Sequence, residues 1–174
     1  MKEDKDMKQY IGTKIIQAEL ANRYEFEDGT AFTKMVSEEW TKAEAAKLKK
    51  PHNVRGGYAV FYPDGYVSWS PEAVFEEAYR ETDGMNFGLA IEAAKKGKKI
   101  SRWGWNGKGM YVIYRTGYPE GIPCNKNTAD AVGIPEGTLF KVRPYLQMKC
   151  VDDTFQMWLA SQSDILADDW FIVE

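Results

Sequence analysis

The densest chemistry in the sequence lies in the run Arg102-Trp103-Gly104-Trp105-Asn106-Gly107-Lys108-Gly109. Its indoles offer faces on which bases stack, its cations suit phosphates, and its glycines let the backbone approach a ligand closely. Each stacked base would contribute about 1–3 kcal/mol. The run is not a phosphate loop, because Lys108 is followed by Gly109 rather than Ser or Thr. It is no dinucleotide fingerprint either, since no Gly-x-Gly-x-x-Gly opens a helix after a strand. A structural alternative stays open: Trp103 and Trp105, two residues apart, would share one face of a strand and fill a core.

Two further clusters offer binding chemistry. Trp158-Leu159-Ala160-Ser161-Gln162-Ser163-Asp164 sets mixed donors and acceptors beside an indole, suited to ribose hydroxyls or a base edge. Ser161 and Asp164 also have capping-box spacing, which predicts a short helical turn through Ala167. In Arg143-Pro144-Tyr145 the arginine is a candidate phosphate fork and the tyrosine a packing or stacking residue. The cations Lys95, Lys96, Lys98 and Lys99 precede the first run. At a helix end they complement the dipole without any ligand.

Groups for catalysis are sparse. The one histidine, His52, rules out a multi-histidine metal site within a chain, and its polar surroundings predict a solvated loop residue. Cys124 lacks a neighbouring base, and Cys150 falls in a predicted strand, where it would be packed. The adjacent acids Asp152/Asp153 and Asp168/Asp169 read as turns and solvent-facing charge. No metal, cofactor or catalytic residue is expected. Carboxylates distant in sequence can still converge, so a hydrolase stays open as an alternative.

Composition narrows the partners. A net charge of −3 over 174 residues argues against general nucleic-acid binding, which depends on Lys and Arg neutralising phosphates. It leaves room for a local basic pocket. With 44% hydrophobic and 28% charged residues the chain reads as globular. Two cysteines are too few for a disulfide framework, no apolar run reaches a membrane span, and no export signal is evident. A reducing cytoplasm is the expected compartment.

The elements that position these residues fall into two modules after a charged tail, residues 1–6. In the first, residues 7–83, Lys14 to Leu20 alternates like a strand. A helix is predicted over residues 38–49, capped by Ser37, with Trp40, Ala43 and Leu48 as its apolar surface. Tyr58 to Tyr62 and Tyr66 to Trp69 flank the turn Pro63-Asp64-Gly65 as a hairpin. Ser70-Pro71-Glu72 then reads as cap, first-turn proline and acid of a helix that buries Val74, Phe75, Ala78 and Tyr79.

The second module spans residues 84–174. Asn86 caps a helix with Phe87, Ala90, Ile91 and Ala94 inward, ended by a left-handed Gly97. Strands are predicted over 110–115, 139–150, 154–159 and 170–173, with Asp152-Asp153 turning one hairpin. Residues 117–137, rich in Pro, Gly and Asn, read as a long loop. The fold class is α+β, two small modules, each a mainly antiparallel sheet with one or two helices.

In order along the chain, Met85-Asn86-Phe87-Gly88, Gly97-Lys98-Lys99-Ile100, Gly104-Trp105-Asn106-Gly107-Lys108-Gly109-Met110, Tyr145-Leu146-Gln147-Met148-Lys149, Trp158-Leu159-Ala160-Ser161-Gln162-Ser163-Asp164 and Asp168-Asp169-Trp170 resemble the phage family Thoeris anti-defence two. The resemblance spans residues 85–174. It implies non-enzymatic sequestration, in the host cytoplasm, of cyclic ADP-ribose isomers made by TIR-domain defence enzymes, and for some members of cyclic dinucleotides. It also implies a homotetramer with pockets between subunits. Carried over, pocket residues would come from Trp103, Trp105, Asn106, Met110, Arg143, Met148, Trp158, Ser161, Gln162, Ser163 and Asp164. The 117–137 stretch departs from that pattern and bears on ligand preference. The first module, in its Tyr62 to Pro71 run, resembles an uncharacterised phage segment. The rival readings are a phosphodiesterase that degrades the signal and a protein-interaction module.

Overall fold

A computed structural model describes residues 13–47 and 51–174. The chain divides into two compact units, Met1–Arg80 and Glu81–Glu174. The charged tail and the last residues of the helix expected over 38–49, Leu48 included, lie outside the described residues.

The first unit is a four-stranded antiparallel sheet. Its strands are β1 (Gln17–Glu25), β2 (Ala31–Met35), β3 (Asn53–Phe61) and β4 (Val67–Pro71), in the order β2-β1-β3-β4. The expected hairpin joins β3 to β4: Asp64 Oδ1 accepts from the Tyr66 amide at 3.0 Å and Gly65 takes φ 86°. The strand expected from Lys14 begins only at Gln17 and runs on to Glu25, because its partner β3 is nine residues long and pairs along its full length.

Two helical expectations are corrected. The first helix, α1 (Lys42–Lys47), starts later than Ser37 would have it. Thr41 caps it instead, accepting from the Glu44 amide at 3.2 Å, while the Glu44 carboxylate accepts from the Thr41 amide at 2.9 Å. These bonds, with that from Lys34, hold the Glu44 carboxyl down at about 2. Ser37 donates to Glu19 across the sheet. The second helix, α2 (Glu72–Ala78), has no side-chain cap, because Ser70 and Pro71 finish β4. It buries no residue fully, and Val74 is 56% exposed. Its attachment is a ladder of rings, Tyr58 on Phe75 at 4.1 Å and Phe75 on Tyr79 at 4.8 Å.

The second unit opens with α3 (Phe87–Lys95). Asn86 caps it, accepting from the Leu89 amide at 3.0 Å, and Gly97 ends it with φ 84°, both as expected. Small residues Ala90, Ala93 and Ala94 let this helix lie close on a five-stranded antiparallel sheet. The strands are β5 (Lys99–Arg102), β6 (Tyr111–Arg115), β9 (Tyr145–Lys149), β10 (Phe155–Met157) and β11 (Trp170–Val173), in the order β10-β9-β6-β5-β11. Register sets Ile100 opposite Val112, and Val112 opposite Met148, on the helix side. With Met85 and the fully buried Trp170 they form the core. The whole is α+β, as the residue pattern predicts.

Residues 117–137 are not a long loop. They hold β7 (Tyr118–Pro123) and α4 (Lys126–Val132), and β7 pairs with β8 (Leu139–Val142) as a separate two-stranded sheet. Buried Cys124 and Ala129 form the centre of this insertion, and Asn125 caps α4. The single strand expected over 139–150 is accordingly two strands, β8 and β9, parted at Arg143-Pro144, where proline offers no amide to a ladder. The last helix, α5 (Gln162–Ile165), is one turn long.

Candidate functional site

β5 ends at Arg102, so the tryptophans that follow stand in a turn and the strand alternative for them fails. They part company. Trp103 is 66% exposed, stacks on Phe171 at 4.1 Å and donates its indole N–H to the Asp83 carbonyl at 2.9 Å. Trp105 turns inward, edge-on to Trp158 at 5.9 Å and to Trp170 at 5.4 Å. Its N–H reaches Asp164 Oδ1 at 3.0 Å.

Asp164 is the hub. Ser161 and Asp164 form the expected capping box, in which Asp164 Oδ2 accepts from the Ser161 amide at 3.0 Å and hydroxyl at 2.6 Å. Its other oxygen takes Trp105 and, at 2.8 Å, Arg102 Nη1. Its backbone carbonyl accepts the Trp170 indole N–H at 3.0 Å. Burial alone would raise this carboxyl, but the bonds from Ser161, Trp105 and Arg102 outweigh it and hold the group at about 2. Asp164 is thus an anion at neutral pH with both oxygens engaged.

Asp169 extends the network and corrects the reading of Asp168/Asp169 as solvent-facing charge. Asp168 is exposed, whereas Asp169 Oδ1 accepts from Arg102 Nε at 2.7 Å and Oδ2 from the Gly104 amide at 2.7 Å. The Arg102 guanidinium, followed by the Gly104 amide, depresses the Asp169 carboxyl, and Asp169 in turn raises Arg102. Neither Arg102 nor Asp169 stood among the expected pocket residues. The register of β11 on β5 brings them together, setting Trp170 opposite Arg102, a pairing that no local signal in the sequence shows.

The remaining candidates scatter. Asn106, Ser161, Gln162 and Ser163 are exposed. Met148 is 5% exposed and belongs to the core, with Met110 and Trp158 packed against it. Arg143 is exposed and lies beyond the Arg115 end of β6, while the 103–110 turn enters β6 at Tyr111. Within one chain Arg143 and that turn are therefore separated by about the length of a five-residue strand. Asp153 takes the positive φ of the β9–β10 turn and pairs with Lys149 at 2.6 Å. His52 is exposed before β3, Cys124 is buried and donates to the Pro135 carbonyl, and Cys150 packs on the core. Among the described residues no three His, Cys, Asp or Glu side chains are grouped to hold a metal.

One helix on one face of an antiparallel sheet, with indoles fixed by an ion-paired hub, defines a compact α+β domain that displays polar and aromatic groups on its turns. Residues 85–173 match the family model described as "Thoeris anti-defense 2-like domain", and the chain belongs to that family. It is 32% identical over 89 residues to "Thoeris anti-defense 2" of Bacillus phage SP01, an alignment that spans 51% of this chain and 94% of that protein. Among the described residues, no helix is long and apolar enough to cross a membrane.

Proposed function

We propose that the second unit binds a cyclic nucleotide immune signal, a cyclic ADP-ribose isomer or a cyclic dinucleotide, and withholds it in the host cytoplasm without cleaving it. Family membership supports a phage anti-defence role, and the match across nearly the whole second unit is the observation that carries the finer reading. The hub chemistry agrees with binding rather than turnover. Asp164 and Asp169 spend their oxygens on Arg102, Trp105, Ser161 and Gly104, so neither is poised to move a proton. What remains outward is an indole, Trp103, with Asn106, Gln162 and Ser163, groups that stack on bases and bond to hydroxyls.

Sequestering a scarce signal needs tight binding. A Kd of about 10 nM corresponds to about −11 kcal/mol. That demands enclosure, which surface turns on one chain supply poorly. A homotetramer with ligand between subunits supplies it. Met157, Leu159 and Leu166, respectively 70%, 93% and 72% exposed, are apolar surface available to such contacts.

The test is capture and release. The full chain is incubated with cyclic ADP-ribose isomers and cyclic dinucleotides, freed of unbound ligand, heat-denatured, and the supernatant weighed by mass spectrometry. Recovery of an intact signal supports sequestration. A modified product establishes an enzyme. Recovery of nothing, together with a stable protein partner, establishes an interaction module.

A further inference from the structure

We propose that Arg102 and Asp169 are a positioning pair for the 103–109 turn, holding Gly104 and, through it, Asn106 where a ligand meets it; the inference rests on the sequestration reading. Residues 102–105, 161–164 and 169–170 converge on one guanidinium. Arg102 Nε bonds to Asp169 Oδ1 at 2.7 Å, and Nη1 bonds to Asp164 Oδ1 at 2.8 Å and to the Ser163 carbonyl at 3.2 Å. The other oxygen of Asp169 grips the Gly104 amide at 2.7 Å, immediately after Trp103 and two residues before Asn106. Arg102 therefore closes a chain of bonds from the end of β5, through Asp169, back onto the turn that follows β5.

The approach is so close that a side chain at position 104 would displace the pair. A Cβ there would lie 2.8 Å from Asp169 Oδ2 and 3.2 Å from Arg102 Nη2. A planar fork is equally necessary at position 102, because it reaches Asp169 and Asp164 along separate N–H directions, which the point charge of lysine cannot do. Trp105 is independently fixed by Asp164 and by its packing on Trp158 and Trp170. Trp103 keeps its stack on Phe171 and its bonds to the Asp83 and Asp169 carbonyls, so losing the Asp169 carboxylate frees the turn at Gly104, on the way to Asn106, and leaves both indoles in place.

Asp169→Asn and Arg102→Lys in the full chain test the pair. Asparagine keeps the shape of Asp169 but meets either Arg102 or the Gly104 amide with a donor, so one bond is lost. The readouts are amide hydrogen exchange by NMR and the dissociation rate of each cyclic ADP-ribose isomer, assayed alone. In both variants Gly104 exchange should quicken and ligand release should quicken about tenfold, as for loss of one charge-assisted bond, while the amides of β5 and β11 keep their protection. Wild-type release rates despite rapid Gly104 exchange would overturn the role, as would unchanged Gly104 exchange. Lost protection across β5 and β11 in both variants would reassign the pair to fold stability. If the wild-type chain retains neither a cyclic ADP-ribose isomer nor a cyclic dinucleotide, the sequestration reading itself falls, a result distinct from the other three.

Discussion

The two units use tryptophan in opposite ways. In the second, the indole N–H groups of Trp103, Trp105 and Trp170 all have oxygen partners, and the last two converge on Asp164. In the first, the guanidinium groups of Arg23 and Arg55 lie over the ring of Trp69 at 5.7 Å and 5.5 Å, and its buried N–H has no hydrogen-bond partner. Stacking with cations is tolerant of angle, whereas hydrogen bonds to a fixed carboxylate are not. The second unit therefore fixes the turns around its indoles by directional bonds, whereas at Trp69 the first unit specifies only that the ring is covered. A unit whose turns must meet a ligand needs the former arrangement.

The contrast yields predictions of graded size. Asp164→Ala should be the most damaging change, destabilising the second unit by about 3 kcal/mol, because it takes from Arg102 one of its two carboxylates and leaves the Trp105 N–H without its partner. Urea unfolding, with hydrogen exchange of the β5 and β11 amides to assign the transition, measures it. Trp170→Phe should cost about 2 kcal/mol through the lost bond and the space left in the core. The same change at Trp69 should alter stability by no more than about 0.5 kcal/mol, since it also removes an orphaned N–H. Equal effects at the two positions would dissolve the contrast.

Acid should loosen the second unit's hub, as it should the Glu44 cap of α1, whose carboxyl is also held down at about 2. The folded carboxyl of Asp164 is held at about 2, below its ordinary value, so its stabilising contribution is complete above the ordinary carboxylate range. It is lost as pH falls through that range toward about 2, and Asp169, shifted the same way, adds to the slope. Thermal melts across this window should flatten in Asp164→Asn. Smallest in its effect on the fold is Asn106→Ala. It should weaken ligand retention about tenfold, the loss of about one good hydrogen bond to a ligand, with oligomer size and melting temperature nearly unchanged. An unfolded variant would mean that the turn is structural.

Local signals were legible and tertiary ones were not. Asn86 and Gly97 bracket α3, Pro63-Asp64-Gly65 turns its hairpin, and Ser161 with Asp164 closes a cap, because each is decided within a few residues. Ser37 was a plausible cap that lost to Thr41, whose Glu44 is also claimed by Lys34 from β2. The Pro- and Gly-rich 117–137 stretch read as loop because its order comes from pairing with β8, beyond the reach of composition. The hub followed the same division. Asp164 was visible as a cap, but Asp169 became a partner of Arg102 only through the register of β11 on β5. Met148, grouped by resemblance with the pocket, is a core residue within this chain.

The most direct test of sequestration is a time course. The full chain at fixed concentration is held with excess cyclic ADP-ribose isomer, and bound and free pools are weighed at intervals. The account predicts a bound amount that reaches a constant ratio to protein, with every molecule released by heat unchanged in mass. A product that keeps accumulating beyond the number of chains would contradict it.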